Sequence, residues 1–160
     1  MKEYKISTTF TVFEQLSDLP SAVFSLMELA VEARKNAYSP YSKFNVGAAV
    51  LLDNGKVVVG SNQENAAYPS GLCAERVAIF QAGAIYPNAK IEKIAITATS
   101  QNHKVSEPIP PCGACRQSIA EYEIRQEENI EIYFMGEEGN IMKSDSLSDL
   151  LPLTFQKSHL

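Results

Sequence analysis

Residues 46–59 read VGAAVLLDNGKVVV, and this stretch decides the class of fold. Its first seven residues are apolar or glycine, so both faces of the strand that they predict must be covered by other elements. Asp53, Asn54 and Gly55 supply the residues of a tight turn, and the valines that follow continue the apolar pattern. The stretch therefore predicts a β-hairpin inside a sheet that is covered on both sides.

Helical patterns surround this hairpin. From about Ser21 to Ala37 apolar residues recur at helical spacing, which predicts an amphipathic helix, whereas residues 72–84 are apolar nearly all round, which predicts a buried one. Similar patterns indicate a strand at residues 94–99, a final hairpin made of residues 130–134 and the run after residues 136–139, and two more helices at residues 112 to about 124 and 146–151. Helices that alternate with strands predict an α/β layered architecture, in one domain that spans residues 1–160.

Residues 1–20 are interpreted as an N-terminal extension of open role. Within it, residues 5–14 alternate polar and apolar side chains, a pattern typical of an edge strand. The extension lacks the uninterrupted apolar segment of a secretory signal, and no part of the chain approaches the ~20 apolar residues of a membrane span. These features, together with the free thiols, predict a cytoplasmic protein that does not insert into membranes.

Composition narrows the choice of partners. The 160 residues include 14 Lys and Arg against 19 Asp and Glu, which gives a net charge of −5. Binding to a nucleic acid backbone depends on basic side chains that neutralise phosphates, and here those side chains are scattered along the chain. The composition therefore argues against a nucleic acid partner and favours a small, neutral substrate.

The three cysteines all lie in two short motifs, CAER at residues 73–76 and PCGACRQ at residues 111–117. An odd number of thiols does not form a disulfide framework, and the two-residue gap between Cys112 and Cys115 is typical of metal sites. Three thiolate ligands leave the fourth position of a tetrahedral zinc ion open, as in catalytic rather than structural sites. Glu75 is then placed to act as the acid and base for a water molecule at that position.

Both motifs are predicted to lie at helix N-termini, where the helix dipole favours thiolate over thiol. Arg76 and Arg116 are candidate donors to the sulfurs, which would offset the negative charge of the ligands, although each could instead be a solvated surface residue. Read singly, the thiols could also be a redox pair and a buried core cysteine. Together they match the signature of zinc nucleobase deaminases, a ligand two residues before a Glu and a later Pro-Cys-x-x-Cys.

The chain resembles the cytidine deaminases of the small, homotetrameric class with three cysteine ligands. Besides the thiol motifs, the resemblance rests on YSPYSKFNVGAA at residues 38–49, NQENAAYP at residues 62–69 and LLPLTF at residues 150–155. It implies a three-layer α/β/α sandwich around a five-stranded mixed sheet. It also implies hydrolytic deamination of free cytidine and deoxycytidine to uridine and deoxyuridine plus ammonia, a reaction of pyrimidine salvage.

The resemblance further implies roles for individual residues. Cys73, Cys112 and Cys115 would hold one Zn²⁺ per subunit, and Glu75 would pass a proton from the attacking water to ring N3 and help to protonate the departing ammonia. The substrate-binding positions would be Phe44, Asn62, Glu64, Tyr68, Ala74 and Phe155.

Among these positions, Asn62 and Glu64 would hold the ribose hydroxyls, and Ala74 would contact the base through its backbone. Phe155 would be inserted over the base by a neighbouring subunit, so that active sites are shared within a homotetramer. In this chain Phe155 is followed by Gln-Lys, where the family often has Gly-Pro.

Three other functions fit parts of the pattern. The same chemistry could act on a modified nucleoside or a nucleoside antibiotic, and a deaminase of polynucleotides would share the thiol motifs. A zinc or redox thiol protein without catalytic activity would also place three cysteines together, but it would not need Glu75. Deamination of free cytidine is the leading hypothesis, because the thiol motifs occur together with Asn62 and Glu64.

Overall fold

A computed structural model describes residues 1–160 and places the apolar stretch at residues 46–52 inside a six-stranded mixed sheet. The strands are β1 (Thr11–Phe13), β2 (Phe44–Leu52), β3 (Val57–Ser61), β4 (Ile91–Ser100), β5 (Glu131–Met135) and β6 (Ile141–Ser144). The α-helices are α1 (Ser21–Arg34), α2 (Ala74–Ile85), α3 (Gly113–Gln126) and α4 (Leu147–Leu150). None of these helices combines the length and the apolar character needed to cross a membrane.

The strand order in the sheet is β1-β6-β5-β4-β2-β3. β2 and β3 form the predicted antiparallel hairpin, and Gly55 in its turn adopts a φ of 75°, which favours glycine. β2 also pairs antiparallel with β4, whereas β4 and β5 are parallel and are joined by a crossover that contains α3. The mixed sheet is confirmed, but it has six strands where the resemblance implied five.

The additional strand is β1, which lies within the N-terminal extension. It pairs antiparallel with β6 in a register that places Thr11 opposite Lys143. The strand predicted at residues 5–14 is thus reduced to three residues, because residues 1–9 are exposed and pair with no other strand. Phe13 fixes β1 by packing against the core that lies under α1.

Both faces of the sheet are covered, as the apolar strand β2 requires. Ala48 and Val50 point into a core shared with α2 and α3, whereas Ala49 points to the opposite face, where α1 packs. Because successive side chains of a strand alternate between the two faces, a strand between two helical layers is apolar at every position. The predicted three-layer arrangement is confirmed.

Gly47 in β2 allows α1 to approach the sheet closely. A Cβ atom at this position would lie 2.0 Å from the carbonyl oxygen of Ala30 and 2.5 Å from the backbone nitrogen of Arg34. Both neighbours belong to the backbone of α1, so no side chain can move to relieve the contact. The close approach of helix and sheet therefore requires glycine at this position.

We expect Gly47→Ala to lower the free energy of unfolding by about 1–3 kcal/mol or more, because overpacking forces the backbone to shift. Urea denaturation followed by circular dichroism measures this change. Gly113→Ala is the matched control, since a Cβ atom at Gly113 would have no neighbour within 4 Å. Equal stability of the two variants would contradict the close packing of α1 on β2.

Gly60 in β3 has the same effect on the beginning of α2. A Cβ atom there would lie 2.5 Å from the carbonyl oxygen of Ala74 and 2.7 Å from the backbone nitrogen of Ala78. The first turn of α2, which contains Glu75, is therefore held against the sheet. The fold in this way fixes the helix end at which the first thiol motif lies.

Candidate active site

The two thiol motifs meet at neighbouring helix N-termini, as the sequence predicts. Cys73 is the N-cap residue of α2, Cys112 is the N-cap residue of α3, and Cys115 lies in the first turn of α3. The sulfur of Cys112 lies 3.7 Å from that of Cys73 and 3.6 Å from that of Cys115, and all three lie within 4.8 Å of one another. Zn–S bonds of about 2.3 Å in a tetrahedron separate two sulfurs by about 3.8 Å, so the cluster fits a zinc ion.

The electrostatics of the cluster favour a cation. A hydrogen bond from the Cys115 thiol lowers the pKa of Cys73 to about 5 against the effect of burial, and the Arg76 guanidinium lowers it further. The same hydrogen bond, together with burial, raises the pKa of Cys115. Three thiolates side by side would need an additional positive charge, which a divalent metal ion would supply.

Arg76 lies beside the thiols of Cys73 and Cys115. One terminal nitrogen of its guanidinium donates to the carbonyl oxygen of Gly71 over 3.4 Å, while its buried Nε has no hydrogen-bond partner in the protein. A buried N–H group without a partner is costly, and a sulfur ligand with negative charge would accept a hydrogen bond from it. The position of Arg76 thus agrees with its predicted role as a donor to the sulfurs.

Glu75 lies in the first turn of α2 and is only 4% exposed. Burial raises the pKa of its carboxyl group to about 7, an effect that a backbone hydrogen bond opposes and the charge of Cys73 reinforces. The carboxyl group is a neighbour of the Cys73 and Cys115 thiols and lines the same cavity as Cys73. A carboxyl group with these surroundings can both accept and return a proton.

The thiol cluster opens into a cavity of about 700 Å³, a size typical of sites for small molecules. The residues that line it include most of those predicted from the sequence, namely Phe44, Asn62, Glu64, Tyr68, Cys73, Glu75, Arg76 and Cys112. Cys115 is fully buried and reaches the cluster from behind Cys112. One cavity therefore brings together the metal motif and the positions expected to bind a nucleoside.

Asn62 is buried just after β3 and bonds the beginning of β2. Its amide oxygen accepts from the N–H group of Val46 over 2.7 Å, and its amide nitrogen donates to the carbonyl oxygen of Phe44 over 2.9 Å. An amide group has two donor hydrogens and two acceptor lone pairs, so one of each remains for a ligand. Asn62 therefore positions the cavity wall in addition to any contact that it makes with a sugar.

Glu64 holds the neighbouring loop in a similar way. Its Oε2 atom accepts from the backbone N–H groups of Tyr41 and Ser42, over 2.9 and 3.3 Å. Burial acts to raise the pKa of Glu64, but the hydrogen bonds from the Ser42 hydroxyl and from these two N–H groups lower it overall. Both backbone bonds reach Oε2, and an ionised carboxylate has about four acceptor sites, so the group keeps capacity to accept from a ligand hydroxyl in the cavity.

Ala74 and Arg116 lie outside the lining of the cavity. Ala74 is fully buried at the first position of α2, so only its backbone could contact a base. Arg116 donates from Nε to the carbonyl oxygen of Pro111 over 2.8 Å and from a terminal nitrogen to that of Leu150 over 2.9 Å. Its partners are thus carbonyl oxygens rather than the predicted sulfurs, because its side chain extends from α3 towards the C-terminal segment.

Phe155 does not enter the cavity of its own chain. Its side chain lies 59% exposed in the tail after α4, packs against the ring of His159 and lines a separate cavity of about 550 Å³ beneath the tail. The backbone oxygen of Phe155 accepts a hydrogen bond from the side chain of Gln117 over 2.8 Å. The role of Phe155 at the site of a neighbouring subunit therefore stays a prediction.

Four hydrophobic residues that the motifs do not indicate also line the cavity: Leu72, Ile96, Ile109 and Pro110. Ile96 lies in β4, where an apolar side chain has an ordinary place in the core. Ile109 and Pro110 belong to the proline-rich loop before Cys112, which the sequence indicates as a loop only. Their closeness to a metal ligand along the chain was the one signal that could have identified them.

Comparison with known proteins agrees with the resemblance to cytidine deaminases. Residues 21–127 match the family model of the cytidine and deoxycytidylate deaminase zinc-binding region. The cytidine deaminase of Halalkalibacterium halodurans is 40% identical over 130 residues, which cover 81% of this chain and 91% of that protein. The cytidine deaminase of Sporosarcina psychrophila is 38% identical over 138 residues, which cover 86% and 94% of the two chains.

Solved structures agree with these relatives. The crystal structure of cytidine deaminase from Burkholderia pseudomallei matches with a TM-score of 0.70 and 39% identity, over 82% of this chain and 97% of that chain. The enzyme from Mycobacterium tuberculosis matches with a TM-score of 0.64 and 31% identity, over 82% and 95% of the two chains. The matched family region contains both thiol motifs. The chain therefore belongs to the family of cytidine and deoxycytidylate deaminases.

Proposed function

We propose that the protein catalyses the zinc-dependent hydrolytic deamination of free cytidine and deoxycytidine to uridine and deoxyuridine. The observation that carries this proposal is the position of Glu75, a buried carboxyl group beside three thiols whose spacing fits a zinc ion. The cavity that Glu75 lines also contains Asn62 and Glu64, which can bind hydroxyl groups. Relatives that are cytidine deaminases support the choice of base.

In the proposed mechanism, Cys73, Cys112 and Cys115 hold the metal, and Glu75 moves the protons. A bound zinc ion supplies Lewis-acid activation of the attacking water. Glu75 accepts a proton from this water as its oxygen adds to C4 of the cytosine ring, and delivers that proton to N3. Glu75 then carries the second proton of the water to the amino group as the C4–N bond breaks. Cytidine and water thus give uridine and ammonia.

Arg76 has an electrostatic role in this proposal. Three thiolates and one divalent cation carry a net charge of −1, which is costly in a partly buried site. The Arg76 guanidinium beside Cys73 and Cys115 offsets this charge and provides an N–H group for a sulfur. Arg116 contributes indirectly, because its bond to Pro111 fixes the residue before Cys112.

The same proposal assigns the sugar and base contacts. Asn62 offers its remaining amide hydrogen, and the Glu64 carboxylate offers its remaining acceptor capacity, so together they suit the two hydroxyl groups of a ribose. Phe44 and Tyr68 line the cavity with aromatic rings, and the backbone of Ala74, between the lining residues Cys73 and Glu75, is proposed to contact the base. These contacts fit a nucleoside rather than a free base.

The proposal extends to the assembly and the setting of the enzyme. A homotetramer would allow Phe155 of one subunit to cover the base in the cavity of another, since this ring lies outside the cavity of its own chain. Thiolate ligands stay reduced in the cytoplasm, and conversion of cytidine to uridine is a reaction of pyrimidine salvage.

The charges of the cavity favour a nucleoside over a nucleotide. Arg76 is the only basic residue among those that line it, and its guanidinium lies beside the thiols. Glu64 and Glu75 add two carboxyl groups to the same lining. Among the lining residues a 5′-phosphate would therefore meet acidic groups and no free cation, while Lys43, near Glu64, lies outside the lining.

We expect the zinc-loaded protein to convert cytidine and deoxycytidine, with kcat/KM for cytidine 5′-monophosphate lower by about 100-fold or more because like charges repel. The loss of cytosine absorbance in the ultraviolet measures the three rates, and a cytosine-containing single-stranded oligonucleotide is included as a fourth substrate. Absence of uridine from every reaction would refute the proposed function. Faster turnover of the nucleotide or the oligonucleotide would refute the substrate class.

A further inference from the structure

The loop between β4 and α3, residues 101–112, forms part of the cavity wall without regular secondary structure. Ile109 and Pro110 of this loop line the cavity, and Cys112 follows them at the N-cap of α3. The position of this wall depends on what supports the loop from outside. Val105, near its middle, is 4% exposed although its neighbours in the loop are exposed.

The support is the turn between β5 and β6, residues 136–139, which is called the β5–β6 turn below. The backbone N–H group of Glu137 donates to the carbonyl oxygen of Val105 over 2.8 Å. A Cβ atom at Gly136 would lie 2.3 Å from the same carbonyl oxygen, and one at Gly139 would lie 2.3 Å from that of Ser106. Two glycines thus allow the loop backbone to lie directly on the turn.

The β5–β6 turn is itself held by a buried hydrogen bond from β4. The hydroxyl of Thr97 donates to the carbonyl oxygen of Gly136 over 2.7 Å and accepts from a terminal nitrogen of Arg34 over 2.8 Å. Thr97 is fully buried and directly follows Ile96, which lines the cavity. The turn therefore has a fixed position relative to the strand that contributes to the same cavity.

We propose that Gly136 is a positioning residue for the substrate, because the β5–β6 turn fixes the loop whose residues Ile109 and Pro110 form the cavity wall. Any side chain at position 136 displaces Val105 and, through the three residues that follow it, the wall. The metal motif is affected less, since Arg116 separately bonds Pro111. The choice of cytidine as substrate rests on the proposed function, whereas the mechanical link does not.

Gly136→Ala tests this link. We expect the KM for cytidine to rise about tenfold or more with a smaller change in kcat, because a displaced wall weakens binding while Glu75 stays on α2. Zinc content is expected to remain unchanged. Independently of activity, hydrogen–deuterium exchange is expected to be faster in peptides that cover Glu137, whose N–H group donates to Val105, and unchanged in peptides from β2.

Two further variants complete the experiment. Glu138→Gln is the matched control in the same turn, since it removes only the exposed 2.7 Å ion pair with Lys104 and leaves the backbone contacts; its kinetics and exchange are expected to equal those of the wild type. Val105→Ala leaves the turn intact but removes the buried side chain of the loop. It is expected to raise KM and exchange as Gly136→Ala does, and it decides the question if Gly136→Ala does not fold.

The proposal is overturned if folded variants at both positions keep a KM within about twofold of the wild type, or if KM rises without faster exchange at Glu137. If exchange is faster in the variants but the wild type does not deaminate cytidine, the proposed function is refuted and the mechanical link stays intact. Normal cytidine turnover by the wild type, with unchanged exchange in the variants, would refute the mechanical link and leave the proposed function intact.

Discussion

Glu75→Gln is expected to lower kcat on cytidine by about 10²–10⁴-fold without loss of bound zinc, because the amide cannot accept the proton that the carboxylate transfers. Glutamine has nearly the same shape as glutamate, so the first turn of α2 and its packing on Gly60 should persist. The effect is large because the proposed mechanism uses this one side chain for both proton transfers.

Steady-state kinetics on the purified variant, together with metal analysis, measure this result. Glu121→Gln is the control, since Glu121 is an exposed carboxylate on α3 outside the cavity. A kcat for Glu75→Gln within about threefold of the wild type, at equal zinc content, would show that another group transfers the protons. Loss of zinc from the variant would instead make Glu75 part of the metal site.

Cys115→Ser is expected to abolish both tight zinc binding and turnover. Cys115 is fully buried in the first turn of α3, where its sulfur lies 3.6 Å from that of Cys112. A serine hydroxyl does not provide the anionic sulfur that zinc prefers, and two thiolates remain. Removal of a residue that hydrogen-bonds a metal ligand costs about 10–100-fold in metal affinity, so removal of a ligand itself is expected to cost more.

Competition with a coloured zinc chelator measures the affinity, and the deamination assay measures the rate at saturating zinc. Ser118→Ala on the same helix is the control, because the Ser118 hydroxyl bonds only the carbonyl oxygen of Ala114. Unchanged affinity in Cys115→Ser would show that Cys115 is a core cysteine rather than a ligand, and the zinc site would then need a different third donor.

The parts of the fold that the sequence predicts are those that local patterns encode. The apolar run in β2 and the turn at residues 53–55 predict the covered hairpin, because each depends only on neighbours along the chain. The helix predicted to reach Ala37 ends as α1 at Arg34, since the next residues form a turn with bonds from Asn36 to Ala33 and from Ala37 to Arg34. The last residue of a helix depends on local backbone geometry, which the spacing of apolar residues does not reveal.

The parts that the sequence does not predict depend on distant contacts. Arg116 bonds Leu150, 34 residues away along the chain, so the motif alone suggested a sulfur as its partner. The short strand β1 exists because β6 offers it an edge, which the alternation at residues 5–14 cannot show. The meeting of the thiol motifs was predictable because their spacing is typical of one metal site, whereas the wall at Ile109 and Pro110 follows from the packing of a loop.

The short strand β1 has a consequence for behaviour at high protein concentration. By pairing with β6 it converts a four-residue edge strand into an inner strand of the sheet. An exposed edge presents unpaired N–H and C=O groups that recruit strands from other molecules, which is a common route to aggregates. β1 has only three residues and is followed by a 3₁₀ turn at Leu16–Asp18, so a strand of another molecule would have few backbone groups with which to pair. The N-terminal extension thus protects the solubility of the enzyme at the side of the sheet away from β2 and β3.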